Sequence, residues 1–203
     1  MAMDRRLTVI ITICLMEAVF RSFAGYAPVG GLTYTLAARL VQMAVILASS
    51  LSLCGVIHVN LAKELGIGLT VAIVFGALVF LADISSRIVL PGGLLNLLLA
   101  KQHVDKPILF FLTGCLVGPF VEELFFRGLL YSWMRERIPV ILSILLTSLL
   151  FASLHGLLSP VQLMGGIIFA SIFEWRKNIW APFVIHSLAN LGIWMVPYVY
   201  PLM

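Results

Sequence analysis

Charge is scarce in this chain. Only 22 of its 203 residues are Asp, Glu, Lys or Arg, 11%, against roughly 25% in a soluble domain. So little polar surface cannot cover a water-soluble globule. It equally excludes a disordered tail or a basic nucleic-acid arm. Cysteine is rare too: Cys14, Cys54 and Cys115 lie far apart in apolar stretches and form no CxxC. Neither a disulfide framework nor thiolate chemistry is expected. Long hydrophilic linkers and internal repeats are missing, so residues 1–203 read as a single domain. What fills the chain is apolar mass, 62% of residues, with a mean hydropathy of +1.11. The expected fold class is an all-α, polytopic integral membrane bundle whose constant partner is the lipid bilayer.

A spanning helix needs about 20 mostly apolar residues. The pattern predicts about seven spans, over 7–27, 34–57, 66–82, 107–134, 138–155, 160–173 and 181–197. The first has the basic start and small residues of a signal peptide, but Glu17 and Arg21 inside it favour a retained span. The piece 88–100 is short and interrupted by Pro91, Gly92 and Gly93, which fits a re-entrant or interfacial segment. With the N-terminus inside and that segment not crossing, seven Lys or Arg residues face the cytoplasm and three face out. If it crosses, the tally is five against five. The positive-inside rule favours the first arrangement. The expected location is a bacterial inner membrane, with the N-terminus cytoplasmic.

The informative charges are those inside the spans. Glu122, Glu123 and Arg127 would together cost about 8–10 kcal/mol if left bare at mid-membrane. Glu123 and Arg127 have the i, i+4 order that suits a helical ion pair. Glu122 points about 100° away from them and has no local partner. Phe151 with His155, and His186 with Asn190, each share a face of their helix. A carboxylate and a histidine can bind and deprotonate water, while a histidine and an asparagine can donate to an oxyanion. Singly, each residue has a packing explanation; together they point to amide hydrolysis without a nucleophilic side chain. Glu17 and Arg21 have the same spacing but no matching His or Asn, and read as a structural pair. Arg39 lies close enough to a span end to snorkel. His58 and His103 fall in loops, and Gly165-Gly166 permits a close helix contact.

The ordered set EELFFRG (Glu122 to Gly128), FASLH (Phe151 to His155) and HSLAN (His186 to Asn190) resembles the CPBP family. That family includes type II CAAX prenyl endopeptidases and bacteriocin-processing or immunity membrane proteins. Its pattern EExxxR, FxxxH, HxxxN is met at every position, over roughly Pro107 to Pro197, leaving 1–106 as accessory helices. The resemblance implies a glutamate-dependent intramembrane protease. Glu122 would activate water with help from His155, and His186 and Asn190 would form the oxyanion site. Glu123, Arg127 and Phe151 would support them, Glu123 being a candidate to share in catalysis. No cofactor is expected. Zinc is the alternative, since one carboxylate and two histidines can hold it, but there is no HExxH and Asn190 stands where a strong ligand would be needed. The expected substrate is a membrane protein or lipidated peptide that arrives through the bilayer. A non-catalytic immunity or scaffolding role is the competing reading.

One expectation of depth conflicts with the rest. Simple alternation puts His155 at the outer end of its helix and His186 near the inner end of the next but one. A break at Gly118-Pro119, or a sixth segment too short to cross, would bring them together.

Overall fold

The structure, a computed structural model, describes residues 4–26, 30–49, 54–57, 60–99, 104–155 and 159–200. It is helical, with no strand among the described residues. In chain order the helices are α1 (Arg5–Phe23), α2 (Gly31–Ala48), α3 (Leu61–Ser86), the short α4 (Gly93–Leu98), α5 (Pro107–Arg135), α6 (Val140–Ser153), α7 (Pro160–Arg176) and α8 (Trp180–Val199). A single further turn spans Cys54–Ile57. Helices satisfy their own backbone groups, which hydrocarbon cannot do for them. Pro107 and Pro160 start α5 and α7 at positions whose N–H would be unpaired anyway.

Five helices, α1, α2, α3, α5 and α8, are long and apolar enough to cross a membrane. On α3, whose mean hydropathy reaches 2.5, Leu69, Ile73, Val74, Leu78 and Leu81 all face outward. Exposed apolar surface on this scale is a lipid-facing surface, and the chain is an integral membrane protein. Two helices are shorter than a span usually requires: α6 has 14 residues and α7 has 17. Several boundaries differ from the sequence expectation, α3 among them, which runs from Leu61 to Ser86 instead of 66–82. The second span starts at Gly31 and stops at Ala48 instead of 57, α6 ends at Ser153, and α7 runs on to Arg176. His58 and His103 lie outside the described residues.

Polar contacts gather several helix ends on one side. Asp4 caps α1 and accepts from Trp133 Nε1 at 2.9 Å and Arg137 Nη2 at 2.7 Å. The Trp133 hydrogen bond holds the Asp4 carboxyl below its ordinary range. Arg6 pairs with Glu136. Glu174 accepts from Tyr131 Oη at 2.7 Å and Arg135 Nε at 3.4 Å, and Glu64 accepts from Arg176 Nε at 2.9 Å. The starts of α1 and α3 and the ends of α5 and α7 therefore share one side.

At the far end of α3 the chain folds back. The buried Asp83 accepts the Leu95 N–H at 2.7 Å and the Tyr200 hydroxyl at 2.9 Å, and pairs with Arg87 Nε at 3.2 Å. Gly93, at φ +80°, lies so near that a Cβ would sit 2.5 Å from Asp83 Oδ1. The helix of this segment, α4, has only six residues and a length of about 9 Å, so it lies at the end of α3 without crossing.

If the N-terminus is cytoplasmic, as the positive-inside count expects, the side that holds Arg6, Arg135 and Arg176 faces the cytoplasm. Ser85→Cys, exposed at the end of α3, should then react with a membrane-impermeant maleimide from the outer face. Labelling from the cytoplasmic face alone would reverse the orientation.

Candidate functional site

The site is built around α5, and a local sequence feature shapes that helix. Its hydrogen bonds widen to the π pattern over Phe111–Val117 and again over Leu124–Tyr131, a feature common at functional sites. At the first widening the Gly118 N–H donates to the Thr113 carbonyl. A Cβ on Gly118 would sit 2.6 Å from that oxygen, so the turn requires glycine. The next residue, Pro119, has no N–H to give, which leaves the Gly114 carbonyl without its donor in this register. Asn190 on α8 supplies one, with Nδ2 donating to Gly114 O at 2.8 Å. Gly118-Pro119 is thus not the break expected from sequence. It is a widened turn in a continuous helix, and it ties α5 to α8.

The charged residues of α5 follow within about one and a half turns. Glu123 and Arg127 form the expected pair, Nη1 to Oε1 at 3.1 Å, fully buried. Arg127 Nη2 also donates to the Gly166 carbonyl of α7 at 3.1 Å. Its guanidinium lies 5.7 Å from the Phe126 ring centre and 5.3 Å from those of Phe151 and Phe169, an aromatic surround that favours a desolvated cation. The close glycine contact is present too: a Cβ on Gly166 would come within 3.0 Å of Ser148 Cα on α6.

Glu123 Oε1 has a second partner, His186 Nδ1 at 2.8 Å. A carboxylate only accepts, so Nδ1 carries the proton and Nε2 faces the other way. There it meets Glu122 Oε2 at 3.7 Å. His155 is oriented alike. Its Nδ1 donates to the Phe151 carbonyl at 2.8 Å, and its Nε2 lies 3.8 Å from the same Glu122 Oε2. Phe151, buried, packs its ring against both imidazoles, with centroids 4.5 Å from His155 and 5.5 Å from His186. Phe169 stacks on His186 at 4.5 Å. Glu122, His155, His186 and Asn190 are brought to one place, with Glu123, Arg127 and Phe151 around them.

The depth conflict is resolved by helix length. At 14 residues α6 rises about 21 Å, well short of a ~30 Å hydrocarbon layer. Its end, and His155 just beyond, therefore lies inside the layer. Tyr131 and Glu174 set a common level for α5 and α7. The shared depth shows in the contacts themselves, since Glu122 Oε2 lies 3.8 Å from His155 Nε2 and 3.7 Å from His186 Nε2.

One sequence expectation is corrected and two are extended. Glu122, without a partner on its own helix, finds its cation on α2, where Arg39 Nη2 lies 3.2 Å from its Oε1. Arg39 does not snorkel; it points into the bundle. Glu17 is not confined to its pair with Arg21, which does form at 2.8 Å. It also accepts from Arg39 Nη1 at 2.7 Å and Gln42 Nε2 at 2.9 Å. These residues line a cavity of about 240 Å³ between α1, α2 and α5, whose walls are otherwise largely apolar and include Glu122 and His155. A second cavity, about 90 Å³, lies on the other side of His155 and is lined by Gln162, Gly165, His186 and Asn190. The signal for Arg39 and Gln42 was available: both sit well inside an apolar run, where the cost that singled out Glu122 applies equally.

With this geometry in place, comparison with known proteins is informative. Residues 104–192 match the family model described as "Type II CAAX prenyl endopeptidase Rce1-like". A Bacillus subtilis (strain 168) protein named "Putative membrane peptidase YdiL" is 29% identical over 84 residues, 40% of this chain and 34% of that protein. The "Membrane-embedded CAAX protease MroQ" of Staphylococcus aureus (strain USA300) is 30% identical over 92 residues, 41% of this chain and 37% of that protein. The alignments thus span about a third of the length of these curated relatives. No solved structure matches. Over residues 104–192, which hold all three motifs, this chain is similar to the Rce1-like type II CAAX prenyl endopeptidases.

Proposed function

We propose that the chain is an intramembrane endopeptidase of the glutamic type. The observation that carries this reading is that Glu122 Oε2 faces two imidazole Nε2 atoms, at 3.8 and 3.7 Å, on the wall of a largely apolar cavity. These separations are too long for direct hydrogen bonds. They let a water sit to one side at about 2.8 Å from both members of either pair. Glu122, assisted by His155, takes a proton from that water as its oxygen attacks the scissile carbonyl. The same proton passes to the leaving nitrogen as the C–N bond breaks. The developing oxyanion accepts from the Asn190 amide N–H not used by Gly114. It also accepts from His186, which must be an imidazolium to donate through Nε2, because its Nδ1 proton is already held by Glu123. A neutral His186 in this tautomer offers only a lone pair there, which refines the role expected from sequence.

The mechanism is proposed as metal-free. One Glu122 oxygen is paired with Arg39, whose cation at 3.2 Å opposes a second positive ion on the same carboxylate. Activity should survive 1,10-phenanthroline and EDTA; loss that zinc restores would move the assignment to the zinc alternative.

The substrate is proposed to be an apolar membrane segment or a lipidated tail. The larger cavity is lined by α1 residues, including the exposed Cys14 and Ala18, and by Leu154 and the exposed His155 just past α6. Such a crevice admits a chain already in the bilayer. Membrane proteomes of cells carrying wild type or Glu122→Gln test this, and uncleaved membrane proteins should accumulate in the variant. Accumulation of soluble proteins without lipid or apolar tail would refute the substrate class. A deletion phenotype that Glu122→Gln does not share would favour the immunity or scaffolding role.

A further inference from the structure

We infer that Arg39 is a positioning residue for Glu122, supplied by a helix outside the segment that matches the family model. The inference rests on the proteolytic reading above and extends it to the first half of the chain.

Arg39 reaches three groups on three helices. Its Nη1 lies 2.7 Å from Glu17 Oε2 on α1 and 2.8 Å from Gln42 Oε1 on α2, and its Nη2 lies 3.2 Å from Glu122 Oε1 on α5. The side chain is 17% exposed, so its fork is held in an apolar setting. Neutralising Glu17 does not require it: Arg21 already pairs with Glu17 at 2.8 Å, and Gln42 donates to it at 2.9 Å. Glu122 has no other cation of this kind among the described residues; its other ionic neighbours there are the two histidines.

The consequence is a division of labour between the two carboxylate oxygens. Oε1 is anchored by a planar guanidinium that Glu17 and Gln42 hold in turn. Oε2 is thereby turned towards His155 and His186. A guanidinium fits this task because its rigid fork bridges two carboxylates at once, whereas an ammonium acts as a single point charge. Glu17, Arg21, Arg39 and Glu122 also sum to zero charge, which lets the cluster persist in the layer. Gln42, almost fully buried, fixes the fork from its own helix.

Two measurements on the full-length protein in liposomes test this. The first uses an internally quenched peptide built on the junction found in the proteome comparison. Arg39→Gln should lower kcat by about 100-fold, the scale of a misplaced reacting group, with KM little changed. Arg39→Lys should recover part of the loss, since charge returns without the bridge. The second needs no substrate. Dicyclohexylcarbodiimide couples to protonated carboxyls in apolar surroundings, and mass spectrometry locates the adduct. Glu122 should be modified several-fold faster in Arg39→Gln than in wild type, because the guanidinium that pairs with its Oε1 at 3.2 Å no longer covers it. Arg39→Lys should return towards the wild-type rate and shows that the fold is kept. Equal labelling of Glu122 in wild type and Arg39→Gln would overturn the inference, as would a rise in KM with kcat unchanged. If labelling responds but wild type cleaves nothing, the protease reading fails while the anchoring of Glu122 stands.

Discussion

Glu122→Gln should abolish peptide cleavage, by on the order of 10³-fold or more, the scale of a lost general base, while leaving the protein folded. Gln keeps the shape of Glu and retains an oxygen that can accept from Arg39 Nη2, now 3.2 Å from Oε1. The groups around it, Glu123 with Arg127 and His186, are untouched. What the amide cannot do is take a proton from water at the position that faces the two imidazoles. His155→Ala should show a smaller loss, because it removes the assisting ring and leaves the carboxylate. Cleavage rates measured beside thermal unfolding in detergent separate chemistry from folding. Full activity in a well-folded Glu122→Gln protein would defeat the mechanism.

Arg127→Met should produce the largest loss of stability. Removing one partner of a buried ion pair costs about 3–5 kcal/mol, because the other charge is left uncompensated. Here Glu123 is fully buried with no hydrogen bond to its Oε2 among the described residues, so it has little with which to replace Arg127. The Gly166 carbonyl loses its side-chain donor from α5 as well, and the three rings around the guanidinium lose the cation they face. An unfolding midpoint lower by roughly 6–20 °C is expected, at about 2–4 °C per kcal/mol for a chain of this size. Met approximates the volume of the Arg stem, so the effect reports charge more than packing. Adding Glu123→Gln should recover part of the stability, since replacing both members of a buried pair is far less costly than breaking it. No recovery in the double variant would mean that the pair is not the source.

The double variant also bears on the site. Glu123 Oε1 is shared between Arg127 and His186, at 3.1 and 2.8 Å. A Gln oxygen at 123 can still accept from His186 Nδ1, but the carboxylate charge beside that ring is gone, so activity should stay low even where stability returns. Gly118→Ala separates the backbone contribution: its Cβ would meet the Thr113 carbonyl, disturbing the widened turn that presents Gly114 to Asn190.

Much of the local design is legible in sequence. Apolar runs dictate helices because the bilayer leaves the backbone no other partner. The i, i+4 spacing of Glu123 and Arg127 already implies their pair, since helix geometry alone brings such residues together. Phe151 and His155 likewise share a face, and the structure adds the detail that the Phe151 carbonyl orients the ring. Pro91, Gly92 and Gly93 mark the segment that folds back, although the Asp83 contacts that hold it are long-range.

Other features depend on distances that no spacing rule reaches. The partner of Glu122 comes from α2, and the partner of that partner from α1; a helical period relates residues within a few turns and is silent across helices. Whether Arg39 turns outward to snorkel or inward to pair depends on how α2 rotates against α5, which side-chain packing decides. The common depth of His155 and His186 depends on α6 being short and on the Tyr131–Glu174 level, a property of assembled helices. Sequence by itself determined that this chain is a helical membrane protein, which residues pair along each helix, and which buried polar groups need explanation. Tertiary structure decided which of those groups meet. Local hydrogen bonding and hydropathy act within one helix, whereas a desolvated carboxylate must find its cation wherever packing brings one within about 4 Å.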